Sequence, residues 1–346
     1  MNRQWLLSPG PASAAGIVQA FGAVQSQDYA GARWAVGQRG AGLTDAAVAR
    51  DFDAGRILRT HVLRPTWHFV VPADIRWMVA LTRGRIAAAM ASYNRKLELD
   101  ASVFRRTHRV LERALGGGTH LTRTELKAEL TRAGVRALGT QRLAHIMMQG
   151  ELDLVVCSGP RRGKQFTYAL LDERVPGAKE RTRDESLLEL ARRYFRMRSP
   201  ATLHDFAWWS GLAMADARRA IDVAGRELTP LARGSAYLTT EGPAMPRRSA
   251  RRAHLLPNYD EYFIGYKDRS AIGVRFGTAR VTGGNALIAN VVALDGQLVG
   301  GWKRVESRGT TRVTFDLPVS VSATERRLID RAVAEYEQFL GPRPTA

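Results

Sequence analysis

The sequence predicts an α+β fold, and three observations predict it. Three segments open alike, Leu43-Thr44-Asp45-Ala46-Ala47-Val48, Leu121-Thr122-Arg123-Thr124-Glu125-Leu126 and Ala201-Thr202-Leu203-His204-Asp205-Phe206, each a Thr N-cap starting a short helix. Each is followed by paired apolar runs with turn residues between them, the pattern of a β-hairpin. Past a Pro- and Arg-rich break at 241–252 the pattern turns from helical to strand-rich. Helix, turn, helix and hairpin in succession is the layout of a winged helix. Three tandem winged-helix units are therefore expected, followed by a small β-barrel or curved sheet and a final helix.

Residues 1–72 form the first expected unit. Two amphipathic helices flank Val24-Gln25-Ser26-Gln27, Asp28 stands before Tyr29-Ala30-Gly31-Ala32, and the wing runs 57–62 with 66–71. Connecting helices over 73–93 and 102–115 fill 73–118 and stop at Gly116-Gly117-Gly118. In 119–178, Glu125 lies three residues after Thr122, a capping box. A turn holding Gly134 and Gly139 leads to a helix over 141–149, and the wing 152–157 with 166–171 has three cations at its tip, Gly159-Pro160-Arg161-Arg162-Gly163-Lys164. In 179–241, Asp205 plays a weaker version of the capping part after Thr202, a helix over 214–223 follows Gly211, and the wing is 228–231 with 236–239. The block 242–346 starts with a basic linker carrying Arg247, Arg248, Arg251 and Arg252. Strands over 286–294 and 297–305 meet at Asp295-Gly296, a strong hairpin signal. A strand over 312–317 and a helix over 323–340 complete it.

The chain of 346 residues carries 52 basic and 33 acidic residues, a net charge of +19. Only six of the 52 are Lys, and Arg with abundant Ala follows from GC-rich coding; the shortage of acids does not. That excess favours a polyanion such as nucleic acid. Cys157 is the only cysteine, which excludes intrachain disulfides, a Cys-rich zinc site and a cysteine-ligated iron–sulfur cluster. No export signal and no run of 18 apolar residues is present, so a cytoplasmic protein away from the membrane is expected. Zinc-binding His-Glu-x-x-His, Walker and Gly-x-Ser-x-Gly motifs are missing, and no metal or organic cofactor is expected.

Gln25 and Gln27, one residue apart in an extended stretch, are expected to point the same way. Two amides cannot titrate. They suit a reaction with an activated leaving group that needs a positioned water more than a strong base. Asp28 reads as a general base or, preferably, as a plain N-cap. His68, after Trp67 on a wing strand, reads as a half-buried sheet histidine ahead of a catalyst. Arg64, before Pro65 at the hairpin bend, is equally a phosphate contact or a salt-bridge partner. Asp260 and Glu261 are paired carboxylates beside aromatic residues, with Lys267, Asp268 and Arg269 within reach to form a structural ion-pair network. Trp208 and Trp209 are expected to close a core.

Four ordered motifs carry a family resemblance: Gln25-Ser26-Gln27-Asp28-Tyr29; Arg64-Pro65-Thr66-Trp67-His68-Phe69-Val70; Asp205-Phe206-Ala207-Trp208-Trp209-Ser210-Gly211; and His254-Leu255-Leu256-Pro257-Asn258-Tyr259-Asp260-Glu261-Tyr262 through Gly265-Tyr266-Lys267-Asp268-Arg269. Together they resemble the bacterial winged helix DNA-binding proteins that include the AlkZ-type DNA glycosylases, over about residues 12–340. The resemblance implies a C-shaped scaffold of three winged helices with an attached β-barrel, embracing duplex DNA. It implies hydrolysis of the N-glycosidic bond of N7-alkylated purines, including bulky adducts and crosslinks left by genotoxic natural products, with Gln25 and Gln27 holding the water. Ser26 departs from the family's usual apolar middle residue.

The leading expectation is thus a monofunctional, monomeric glycosylase. Arg64, Arg161, Arg162, Lys164, Arg247, Arg248, Arg251 and Arg252 are its expected DNA contacts. The alternative is a non-catalytic winged helix DNA-binding protein, a regulator or lesion binder. A third, weaker reading is a hydrolase of another small substrate using Asp260 and Glu261.

Overall fold

Short-range caps set the helix starts. In the computed structural model, which describes residues 1–135, 139–177, 180–231, 236–239, 251–277, 290–307 and 310–341, the Thr44 hydroxyl accepts from the Ala47 N–H at 3.2 Å. Thr122 and Glu125 form the reciprocal box. Thr202 and Asp205 form one as complete: Asp205 N–H donates to Thr202 Oγ1 at 3.0 Å, and Thr202 N–H to Asp205 Oδ2 at 2.9 Å. A shorter carboxylate serves as well as Glu because one oxygen reaches back across the same three residues. Two further boxes, Thr182 with Glu185 and Ser322 with Glu325, start helices as well.

The elements follow in the expected order. Helix α1 (Ala14–Phe21), strand β1 (Val24–Gln25), α2 (Tyr29–Gly37) and α3 (Asp45–Asp53) precede the hairpin β2 (Leu58–His61) and β3 (Trp67–Val70). Then come α4 (Pro72–Lys96), α5 (Ala101–Leu115), β4 (Leu121–Thr122), α6 (Arg123–Arg132), α7 (Thr140–Leu152), β5 (Val156–Ser158), β6 (Thr167–Leu170) and α8 (Leu171–Arg174). Next are α9 (Arg183–Arg198), α10 (Leu203–Ser210), α11 (Met214–Ala224), β7 (Thr229–Pro230) and β8 (Tyr237–Leu238). The last block holds β9 (Ala253–Leu256), α12 (Glu261–Ile264), β10 (Val291–Leu294), β11 (Gln297–Ser307), β12 (Thr310–Asp316) and α13 (Ala323–Leu340). All three hairpins are shorter than the sequence predicts. Helix α9 and strand β9 have no counterpart among the expected elements.

The chain divides into two compact units. One comprises Arg50–Leu190 and Ser210–Val223. Its hairpin pairs Leu58 with Val70 and His61 with Trp67, and a second sheet has the order β4-β6-β5. A core of Leu111, Leu126, Leu130, Ile146 and Met147 joins α5, α6 and α7 to that sheet. In the same unit, buried Glu151 accepts from the His61 backbone N–H at 2.8 Å and meets His61 Nδ1 at 2.6 Å.

The other unit comprises Met1–Ala49, Ala191–Trp209 and Ala224–Ala346. Its sheet is antiparallel in the order β12-β11-β10-β9, with α13 packed on β9. Of the two expected forms, barrel or curved sheet, no closed barrel exists among the described residues: β9 and β12 are the free edges. Asp295 and Gly296 take φ of 48° and 86°, the left-handed pair that a tight two-residue hairpin requires. The expected strand over 286–294 is seen from Val291; 286–289 lie outside the described residues. Trp209 is fully buried, whereas Trp208 is 38% exposed, so only one of the two closes the core. Neighbours on a helix point about 100° apart, and one face cannot bury both.

Candidate active site

A glycine and a carboxylate bracket the glutamine segment. Helix α1 stops at Gly22, which takes φ 79°, and α2 begins at Asp28, whose Oδ1 accepts the Gly31 N–H at 3.1 Å. Asp28 is thus an N-cap, as preferred. Gln25 is buried at 6% exposure and Gln27 is exposed. The two amides therefore do not share the environment that their alternating spacing suggests: β1 is only two residues long, and the chain bends into the cap directly after Gln27.

Gln25 is anchored from far along the chain. Its backbone N–H donates to Glu261 Oε1 at 3.1 Å. The other oxygen of Glu261 accepts from Arg198 at 2.6 Å and from the Trp209 indole N–H at 2.9 Å. Both members of the ion pair are nearly inaccessible, with side chains 0% and 1% exposed. Arg198 also donates to Phe21 O at 3.2 Å, and its guanidinium lies 4.3 Å from the Trp209 ring centre and 5.1 Å from that of Phe21. So the carboxylate that fixes Gln25 is itself fixed by a cation packed among aromatic rings.

Asp260 is committed in the same way. Arg39 grips it with two bonds of 2.6 and 2.8 Å, Gln38 donates at 3.3 Å, and the Tyr262 N–H at 2.8 Å caps α12. A chain of bonds from Arg39 to Gln4, Tyr266 and Arg198 O connects the two carboxylates' partners. The expected ion-pair network exists, but its cations are Arg39 and Arg198. Lys267 and Asp268 turn their backbone N–H groups to Asp205 instead, and Arg269 stacks 4.8 Å over Phe263. Sequence reasoning missed Arg39 and Arg198 because they lie 221 and 63 residues from their partners, without a local signal.

The remaining candidates are distributed as follows. His68 is fully buried rather than half-buried, with Nδ1 2.9 Å from Thr66 O. Arg64 is half-buried at the hairpin bend. In the turn between β5 and β6, Arg162 pairs with Glu125 at 2.7 Å; the Thr122 hydrogen bonds first, and Arg162 after them, hold that carboxyl down at about 2. The Arg161 guanidinium lies 5.2 Å over Phe166, and Arg59 covers both Trp67 and Phe166 at 4.2 and 4.6 Å. Lys164, Arg59, Arg123, Trp67 and Phe166 line a cleft of about 300 Å³, a combination of cations and flat rings suited to phosphate and base. Arg251 pairs with Asp295 and Glu325, and the Arg252 N–H bonds Asp295. Arg247 and Arg248 lie outside the described residues. Among the described residues no group of three or more His, Cys, Asp or Glu could hold a metal ion, and no helix is long and apolar enough to cross a membrane.

The class of protein to which this chain belongs is the DNA glycosylases. More narrowly, the chain belongs to the family described as DNA glycosylase AlkZ-like, which it matches over residues 18–339. It is 25% identical to the interstrand DNA cross-link repair glycosylase of Streptomyces sahachiroi, over 96% of this chain and 94% of that protein. The solved structure of Streptomyces sahachiroi DNA glycosylase AlkZ has the same fold, with a TM-score of 0.77 at 21% identity over 97% of this chain and 94% of that one.

Proposed function

We propose that the protein hydrolyses the N-glycosidic bond of N7-alkylated guanine in duplex DNA, with Gln25 and Gln27 holding the attacking water. Three winged-helix units, built from the helix pairs and hairpins, grip the duplex as a monomer. The anchored Gln25-Ser26-Gln27 junction carries this reading, because it combines a fixed backbone with one glutamine open to solvent.

An N7-alkylated purine is already cationic and leaves as a neutral base. The barrier then lies in building positive charge on the sugar, and a strong acid is not required. Amide oxygens orient water and stabilise that charge without ionising. Glu261 is a positioning residue: its charge is matched by Arg198, and it acts on the site through the Gln25 backbone. Phosphate contacts fall to Arg64, Arg161, Arg162, Lys164, Arg251 and Arg252, and the +19 charge draws DNA in. The Streptomyces relative is named as an interstrand DNA cross-link repair glycosylase, which supports including such crosslinks among the proposed substrates.

The test is incubation with duplexes carrying 7-methylguanine or an N7-linked interstrand crosslink, followed by alkali. Strand cleavage at the lesion is expected. Tight binding without abasic sites would leave a non-catalytic DNA-binding protein.

A further inference from the structure

Arg59 stands on β2, in the unit comprising Arg50–Leu190 and Ser210–Val223. Its guanidinium lies 4.2 Å from the Trp67 ring centre and 4.6 Å from that of Phe166. Both rings have further support. The His61 imidazole is 4.6 Å from Trp67 and is itself bonded to buried Glu151, while Phe52 meets Phe166 in a T-shaped contact at 6.3 Å. The Arg59 backbone is fixed as well, its N–H donating 2.8 Å to Ser158 Oγ. An arginine stacked in this way is pre-organised: flat rings cover its faces, and its N–H edge is what remains to meet an acceptor.

Arg59 lines the cleft of about 300 Å³ together with Arg123, at the start of α6, and Lys164, in the turn between β5 and β6. Three cations thus share one small volume, and no carboxylate among the described residues lines it. Neighbouring Glu125 is already bound by Thr122 and Arg162. Like charges gathered in a cleft repel one another and focus a positive potential on its mouth, an arrangement that an incoming anion relieves. A guanidinium edge matches two oxygens of one oxyanion, and Lys164 adds a point charge. A phosphodiester, with its oxygens arranged tetrahedrally, can meet cations arriving from three elements, whereas a carboxylate is flat. Because Arg59 already covers Trp67 and Phe166, the rings serve the guanidinium ahead of a base.

We propose that this cleft seats one backbone phosphate of duplex DNA, with Arg59 as the cation that sets its position and Arg123 and Lys164 completing the charge. The proposal rests on the reading of duplex DNA as the partner, and adds to the contacts already assigned a pair made from β2 and α6. Phosphate contacts fix where a protein sits on the duplex without reading its bases. Arg59 therefore acts on DNA affinity and leaves the reaction at the glutamines untouched.

The experiment is fluorescence anisotropy of the full-length protein with an undamaged labelled duplex between about 50 and 200 mM salt. Single-turnover release of 7-methylguanine at saturating protein is measured beside it, with circular dichroism to check the fold. Arg59→Gln should weaken duplex binding by roughly tenfold or more. Arg123→Gln, which leaves the Arg59 stack in place, should weaken it too. With both changes, the plot of log affinity against log salt should become shallower by about 0.9, the share of one phosphate. Arg59→Lys keeps the charge but loses the planar fork, so it should keep the slope and still bind more weakly than the wild type. Arg132→Gln, at the other end of α6, removes an equal charge and should leave affinity and slope nearly unchanged. Base release at saturation should keep the wild-type rate in every variant. An unchanged slope in the double variant, or a loss in Arg132→Gln as large as in Arg59→Gln, would overturn the proposal. Should 7-methylguanine stay in the duplex while Arg59→Gln weakens binding, the glutamine reading fails and the phosphate site stands.

Discussion

Glu261→Ala is the substitution with the largest worked consequence. It removes the partner of Arg198 inside a pair whose side chains are 1% and 0% exposed. It also leaves the N–H groups of Gln25 and Trp209 without their carboxylate acceptor. Stranding a buried charge costs about 3–5 kcal/mol, against roughly 5–15 kcal/mol for a whole domain. With a urea m-value of about 2 kcal/mol/M, the unfolding midpoint should drop by roughly 2 M. Adding Arg198→Met removes the stranded charge and places an apolar chain among Phe21, Tyr194 and Trp209. Stability should then recover by more than half, since replacing both members of a buried pair is often near neutral. Base release should not recover, because the Gln25 backbone still lacks its anchor. Urea unfolding followed by circular dichroism, beside single-turnover base release, separates the two effects. A loss under about 1 kcal/mol in Glu261→Ala, or a double variant no more stable than the single one, would refute the reasoning.

Stability should fall with pH below neutrality through His254. Burial holds its folded pKa at about 3 against an unfolded value of about 6.5, so in that window the unfolded chain binds a proton that the folded chain refuses. The contribution is up to about 1.4 kcal/mol per pH unit, and His254→Leu should make the slope shallower by that share in denaturant titrations repeated at several pH values, leaving the smaller part due to His108, His120 and His145. Gly211 takes φ 67° where a Cβ would collide with Leu63 O, so Gly211→Ala should cost at least about 2 kcal/mol by chemical denaturation. Cys157 is fully buried and its thiol is pushed up to about 12, chiefly by burial. Iodoacetamide should therefore leave the native protein unmodified by mass spectrometry and alkylate it once unfolded.

Features written into a few adjacent residues were legible in the sequence. Thr122 with Glu125, Thr202 with Asp205 and the turn Asp295-Gly296 are local interactions, and the structure holds each of them. Helix α13 spans the residues expected of it, 323–340. What was not legible depends on distance along the chain. The partners of Asp260 and Glu261 are brought from the turn after α2 and from the end of α9, and nearby Lys267 and Arg269 were the wrong cations. The different environments of Gln25 and Gln27 arise because Asp28 ends the extended stretch after them, which alternation alone does not reveal. An open sheet and a closed barrel have the same strand pattern, and differ only in whether the two edges meet.

Single-turnover release of 7-methylguanine by Gln27→Ala and Gln25→Ala tests the central claim most directly. If the pair holds the water, Gln27→Ala should slow release by roughly tenfold to a thousandfold, the effect of losing one preorganised polar group, with DNA affinity nearly intact. Gln27→Glu should retain more activity, since a carboxylate still accepts from water and faces the cationic sugar. Release at the wild-type rate by both alanine variants would contradict the account and remove Gln25 and Gln27 from the chemistry.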